Sequence, residues 1–437
     1  MSSKNGSSFQ VKPGGVISGR LTVPGDKSIS HRALMLGAIA EGETRITGFL
    51  QGEDTLATAK AFQQMGVEIK NDGELVWING VGLNGLKKSN SSIDLGNSGT
   101  SVRIMTGLLA GQNFDSELIG DKSLMTRPMM RVIKPLRSMN AEISCTERGT
   151  LPIKITGENH LKGIEYELPV ASAQLKSCLL LAGLYADGTT TIIENRVTRD
   201  HTERMLNAFS HPITRNQNQI SVSKADRLLG TDINIPADFS SAAFFIVAAT
   251  IAPGSDLVLE NVGINPTRNA MLKIMELMGA DIALENNREQ SGEPVADIHI
   301  KSSELRGIDI PEELVPIAID EFPVIFVAAA CAKGETRLSG AAELRVKESD
   351  RIQSMLDGFI ATGVQAEDTE DGMIIQESEF KGGIVNSHGD HRIAMAFAVA
   401  GLISKEPIVI NDCENVATSF PGFVELAQKA GMNIAYA

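Results

Sequence analysis

The 437-residue chain is short of aromatic residues, cysteine and basic charge, and it has no long apolar run. With 15 Phe, 3 Tyr and 1 Trp, its core must be built mainly from aliphatic side chains. Cys145, Cys178, Cys331 and Cys413 are widely spaced and form no CxxC pair. They read as buried reduced thiols, not as disulfides or a zinc site. Lys plus Arg total 40 against 54 Asp plus Glu, a net charge of -14, which argues against a broad surface for nucleic acid. No stretch reaches the roughly 20 apolar residues that cross a bilayer, and Met1 to Gln10 is polar without an apolar signal region. The expectation is a cytoplasmic protein with neither membrane nor nucleic-acid partners.

What is present is ordinary globular composition, 42% apolar and 22% charged, at a length that suggests two to four domains of roughly 100 to 200 residues. The chain also repeats. A polar loop, an Ala/Leu-rich helix, a Gly-containing turn and a strand recur from Gly25, Gly96, Val170, Pro236, Ala318 and Ser387. Each copy continues into an amphipathic helix, a small-residue turn and another strand, with copies roughly 70 to 80 residues apart. Asn140 stands where the turn glycine is expected, and the third copy has His211-Pro212 there; both suit a left-handed residue or a break. Units that mix strands with helices at this spacing predict an α/β architecture, not a helical solenoid.

The first helix of each copy is apolar almost all round and should be buried, which makes its N-terminus the informative end. Those ends carry Lys27/Ser28, Asn97/Ser98/Thr100, Ser172/Gln174, Asp238/Ser240, Asp320/Glu321 and Asp390/His391/Arg392. Ser, Asp and Asn there are good caps. Cations oppose the helix dipole unless an anion is bound, so Lys27, Arg32 and Arg392 point to anionic ligands. If the segment Arg345 to Arg351 is helical, Lys347 and Arg351 form an unfavourable like-charge pair, relieved on a solvated face by Lys347 to Asp350 and Arg345 to Glu348. His388 and His391 have no clear third ligand nearby, so no metal is expected, and no cofactor.

Six ordered segments, GDKSISHR from Gly25, LGNSGTSVR from Leu95, TRPM from Thr126, ASAQLKS from Ala171, RVKESDR from Arg345 and GDHRIAMA from Gly389, together resemble the 5-enolpyruvylshikimate-3-phosphate synthases. The resemblance runs from about Lys12 to the C-terminus. It implies a two-domain inside-out α/β barrel of six βαβαββ repeats, three per domain. One domain would be discontinuous, 1-24 plus 236-437, the other inserted, 25-235, with the active site in the cleft and the protein a monomer.

The implied reaction moves the enolpyruvyl group of phosphoenolpyruvate to the 5-hydroxyl of 3-phosphoshikimate. By resemblance, Lys27, Ser28, Arg32, Ser172, Ala173, Gln174, Asp320 and Lys347 bind 3-phosphoshikimate, and Arg199 at the next strand-to-helix junction is a further candidate for its phosphate. Lys27, Gly99, Arg127, Gln174, Arg351, His391 and Arg392 would surround phosphoenolpyruvate. Together the substrates carry about five to six negative charges, a demand that Lys27, Arg32, Arg127, Lys347, Arg351 and Arg392 can meet. Asp320 is assigned to the hydroxyl proton and Glu348 to the methylene proton, with Lys27 near both substrates. Ser172-Ala173-Gln174 and Ser419-Phe420-Pro421 depart from many relatives and are similar to the divergent second class. The related UDP-N-acetylglucosamine transferases place a reactive Cys before an Arg, but the loop here, GDKSLMTRP, has none.

Overall fold

The computed structural model describes residues 7–157 and 160–437; the first six residues of the polar N-terminal stretch lie outside the described residues. The chain forms two compact units. A discontinuous unit takes the described part of Met1–Pro24 with Pro236–Glu289 and Pro294–Ala437, and an inserted unit takes Gly25–Ile235 with Gln290–Glu293.

The inserted unit contains α1 (Lys27–Ile39), α2 (Glu53–Gln64), α3 (Gly99–Ala110), α4 (Met130–Ser138), α5 (Ala173–Gly183) and α6 (His201–Ala208). The discontinuous unit contains α7 (Phe239–Ile251), α8 (Ala270–Met278), the short α9 (Val315–Ala318), α10 (Phe322–Ala330), α11 (Arg351–Thr362), α12 (His391–Ala400) and α13 (Phe423–Ala430). The apolar helices are the buried ones, as their composition requires: in α7, 12 of 13 residues are buried. Burying each large side chain contributes roughly 1.5–3 kcal/mol, so apolar burial dominates over propensity in holding these helices. Helices α7, α10 and α12 pack on one another, and α3 packs on both α1 and α5. The α3–α5 approach needs glycine, because a Cβ on Gly107 would lie 2.0 Å from the Cys178 carbonyl oxygen. The two cores differ in filling. Phe245, Phe420 and Phe423 form one ring cluster in the discontinuous unit, and Phe359 meets Phe380 and Phe397 in another. The inserted unit's core is mostly aliphatic.

Six sheets accompany the helices, five of four strands and one of three among the described residues. Three of them borrow a strand from far along the chain. Asp232–Asn234 pairs parallel to Glu41–Thr47, Ser18–Leu21 parallel to Asp256–Gly263, and Phe9–Val11 inserts antiparallel between Ile408–Asn411 and Ile434–Tyr436. Each covers a sheet position that would otherwise be left open for unwanted pairing. The three-stranded sheet is flanked by isolated bridges between Arg306 and Lys333 and between Asp309 and Arg337.

Asn140 adopts φ 72°, the left-handed turn expected of it, whereas in the third copy that role falls to Ser210, φ 65°, one residue before His211. All four cysteines are free; Cys178 and Cys413 are buried, but Cys145 and Cys331 are only partly so, a correction to the expectation of four buried thiols.

Candidate active site

In the inserted unit, α1 is capped by the Asp26 carboxylate, which accepts from the Ile29 amide at 2.8 Å. Lys27, the first helical residue, forms an ion pair with Asp54. Asp54 sits in the first turn of α2, where a carboxylate also suits the helix dipole. One turn into α1, Arg32 is 3% exposed. Its Nε donates to Thr202 Oγ1 at 2.7 Å, Nη1 to the Ser28 carbonyl at 2.9 Å and Nη2 to Ser177 Oγ at 2.7 Å. All three acceptors are neutral, and among the described residues no carboxylate lies within salt-bridge distance. Burial pushes the Arg32 pKa down to about 10, which leaves it charged near neutrality.

His31 is fully buried beside it, with Nδ1 3.0 Å from Thr58 Oγ1 and 3.1 Å from Ser101 Oγ. Burial first, then Lys27 and Arg32, hold its pKa well below 6.5, so it is neutral at pH 7 and links α1, α2 and α3 without adding charge. Ser98 caps α3 by accepting from the Ser101 amide at 3.1 Å. A Cβ on Gly99 would lie 2.9 Å from Arg103 Nη1 and 3.2 Å from Arg127 Nη1, so two guanidinium groups converge on this helix start. Arg103 Nη1 donates to Gln174 Oε1 at 2.9 Å, Gln174 Nε2 donates to Thr100 Oγ1 at 3.1 Å, and Arg127 Nη2 donates to Asn97 Oδ1 at 2.7 Å. Ser172 caps α5 through the Leu175 amide, and Ala173 begins that helix. Arg199 is half-buried before α6 and close enough to Arg32 to oppose its charge.

The discontinuous unit is organised differently. Arg351 opens α11 and is 1% exposed. Its Nε donates to Asp390 Oδ2 at 2.8 Å and its Nη2 to Glu348 Oε2 at 2.7 Å, while Nη1 lies 3.4 Å from Asp320 Oδ1. Burial alone would lower the Arg351 pKa, but these three carboxylates outweigh it and raise it. Asp390 is buried too. Burial pushes its pKa up, yet Arg351 prevails and holds it below 3.8. The same Asp390 caps α12, accepting from the Arg392 amide at 2.9 Å, and His391 adds positive potential beside it. Lys347 Nζ is 3.5 Å from Asp320 Oδ1. Arg392 donates through Nη1 to the Asp320 carbonyl at 2.7 Å and through Nη2 to Ser240 Oγ at 3.0 Å. Below it, Ser240 is bonded to Glu321, and Arg268 Nη2 donates to Asp238 at 2.9 Å and to Ser240 at 2.8 Å.

The model of EPSP synthase (3-phosphoshikimate 1-carboxyvinyltransferase) matches residues 11–426. The chain belongs to the EPSP synthase family. It is 58% identical over 427 residues to the 3-phosphoshikimate 1-carboxyvinyltransferase of Methylococcus capsulatus, covering 98% of each chain. It is 59% identical over 426 residues to that of Alkalilimnicola ehrlichii, covering 97% of this chain and 96% of the relative. Among solved structures, the EPSP synthase from Acinetobacter baumannii superposes with TM-score 0.90 at 55% identity, covering 99% of this chain and 100% of that one. The enolpyruvyl transferase NikO from Streptomyces tendae, at 14% identity and TM-score 0.82, shares the fold over 99% of both chains.

For this member of the EPSP synthase family, the residues named from sequence fall into groups. Asp320, Lys347, Glu348, Arg351 and Arg392 share one cluster, with His391 at its edge. Gly99, Arg127 and Gln174 share another, and Lys27, Ser28 and Arg32 line α1. The segment Arg345 to Arg351 is not one helix. A 3-10 turn ends at Val346, and α11 starts afresh at Arg351 with Asp350 capping the Gln353 amide at 3.0 Å. The pairings expected of a continuous helix are therefore wrong: Arg345 pairs with Asp350 and Asp368, Lys347 with Asp320, and Glu348 with Arg351. The break lets Arg351 turn inward instead of sharing a surface stripe with Lys347. His388 is exposed and lies 3.9 Å from Asp357; among the described residues no three His, Cys, Asp or Glu gather as metal ligands. Among the described residues, no helix is long and apolar enough to cross a membrane.

Sequence reasoning gave no role to Asp54, His31, Arg103, Arg268 or Lys176. Arg103 lies within the LGNSGTSVR segment, one turn after Gly99, and that spacing was a usable signal. Asp54 pairs across helices, which no local spacing marks.

Proposed function

We propose that the chain transfers the enolpyruvyl group of phosphoenolpyruvate to the 5-hydroxyl of 3-phosphoshikimate, releasing phosphate, and so acts on the shikimate route to aromatic amino acids. Its two units serve as domains 1-24 plus 236-437 and 25-235, and it works as a cytoplasmic monomer. Membership in the EPSP synthase family over residues 11–426 is the observation that carries this reading.

In this reading Arg32, Ser28, Lys27, Ser172, Ala173, Gln174 and Arg199 hold 3-phosphoshikimate from the inserted unit. Gly99, Arg127 and Gln174 take phosphoenolpyruvate there, and Arg351, His391, Arg392, Lys347 and Asp320 complete the ligand set from the discontinuous unit. The oxygen of the 5-hydroxyl bonds to C2 of phosphoenolpyruvate as Asp320 removes its proton and Glu348 delivers one to the methylene carbon. The tetrahedral intermediate then returns a proton from that methyl carbon as the bond to phosphate breaks. Cations and helix N-termini stabilise the charge that develops on the phosphate oxygens. Arg351 touches both carboxylates and so holds the two proposed proton-transfer groups on one guanidinium.

The test is to mix the purified protein with phosphoenolpyruvate and 3-phosphoshikimate and follow phosphate release together with the enolpyruvyl product. Both should appear in equal amounts. No turnover with this acceptor, but turnover with UDP-N-acetylglucosamine, would overturn the assignment.

A further inference from the structure

Lys176 lies in the apolar helix α5 with its side chain 0% exposed, an unusual place for an ammonium group. Its Nζ is 2.9 Å from Glu194 Oε1 and 2.7 Å from Glu203 Oε1, and it donates to the Thr198 carbonyl at 3.3 Å. The next residue on α5 is Ser177 and the residue before Glu203 on α6 is Thr202, and these two hydroxyls are the ligands of Arg32. The hydroxyls that serve Arg32 are thus the chain neighbours of Lys176 and of its partner Glu203. Lys176 receives the carboxylates and Arg32 the hydroxyls. Successive residues on a helix point about 100° apart, which keeps the two sets distinct.

Glu203 is nevertheless near Arg32. Of the charges acting on that guanidinium, Glu203 exerts the largest effect. A carboxylate buried without its own cation would turn to the nearest one left, and Arg32 would then be neutralised before any ligand arrived. We propose that Lys176 is a positioning residue that sequesters Glu203, keeping Arg32 open for an anionic group of 3-phosphoshikimate. The proposal rests on the reading that Arg32 helps hold 3-phosphoshikimate.

The experiment measures 3-phosphoshikimate binding by calorimetry, and KM and kcat for both substrates, in the intact protein and in Lys176→Met, Glu203→Gln, the double variant and Arg32→Ala. Close buried charge pairs couple strongly enough that Lys176→Met should weaken 3-phosphoshikimate binding by about tenfold or more. The KM for phosphoenolpyruvate should move much less. Glu203→Gln should bind as tightly as the parent or tighter, and the double variant should return to within about threefold of it.

An ion pair needed only for folding gives a different pattern: Glu203→Gln weakens binding like Lys176→Met, or the double variant binds no better than Lys176→Met. Either result overturns the proposal. If Lys176→Met does not fold, Glu203→Gln and the double variant decide. Wild-type affinity in Arg32→Ala removes the reading of Arg32 itself, whereas weak binding there with wild-type affinity in Lys176→Met removes only the role of Lys176.

Discussion

Arg32 in the inserted unit and Arg351 in the discontinuous unit are each almost wholly buried, 3% and 1% exposed, but only Arg351 touches carboxylates. Arg32 donates three of its five N–H groups to two hydroxyls and a carbonyl, neutral acceptors that leave its charge without a carboxylate in contact. Arg351 sits among Asp390, Glu348 and Asp320, which neutralise it in the absence of any ligand. An uncompensated buried cation is raised in energy until an anion arrives, and so favours anion binding. A compensated one brings acidic groups together at fixed distances, an arrangement that suits proton transfer. On the proposed reading, similar repeats, each with a buried helix and a polar start, serve two different tasks.

The sharpest way to break this contrast is kinetic. Asp320→Asn and Glu348→Gln should each lower kcat by about 10² to 10⁴-fold, with a much smaller effect on 3-phosphoshikimate binding. Arg32→Ala should act mainly through KM for 3-phosphoshikimate. Should Glu348→Gln and Asp320→Asn both retain the parent kcat in a folded protein, the proton-transfer role of the discontinuous unit would be lost.

A second comparison removes the charges and reads stability. Arg351→Met leaves three carboxylates without their shared cation and should destabilise the protein by about 3–5 kcal/mol in urea unfolding. Arg32→Met removes a charge that no carboxylate touches, and Glu203 keeps its contact with Lys176, so stability should remain within about 1 kcal/mol of the parent or exceed it. Equal destabilisation by the two substitutions would mean that Arg32 is compensated after all.

Much of this division was open to sequence reading, for identifiable reasons. The Ala/Leu-rich helices around Leu34, Leu108 and Ala248 can be apolar on every side only if buried, so their polar starts stood out. Arg351 was legible because Lys347, four residues earlier, made the segment a poor surface helix, although the helix itself breaks at Asp350. The borrowed strands were not legible. Phe9–Val11 pairs with Ile408–Asn411 about 400 residues away, and a short apolar strand carries no mark of its partner. Lys176 was hidden for a related reason: its carboxylates, Glu194 and Glu203, lie on other segments, so its position in an apolar helix said nothing of how it is paid for.

Acidification should separate the two regions by the pH range over which each loses stability. His31 has a folded pKa below 6.5, so beneath about pH 6.5 the unfolded chain binds a proton that the folded inserted unit refuses. Stability therefore falls as the pH drops through this range, by at most about 1.4 kcal/mol per pH unit for one group. Asp390 has a folded pKa below 3.8, so its contribution is complete above about pH 3.8 and is lost only as the pH falls further, through the depressed value. Glu203, raised by burial despite Lys176, works in the opposite direction near its ordinary range and must be separated from His31 by substitution. Urea unfolding of the parent and of His31→Gln at pH values from 7.5 to 5 makes that separation. The parent should lose stability across the interval, and His31→Gln should lose less, since the amide can still meet Thr58 and Ser101 but cannot take up a proton. Identical slopes would mean that His31 takes up its proton as readily in the folded protein as in the unfolded chain, so that burial does not hold it neutral.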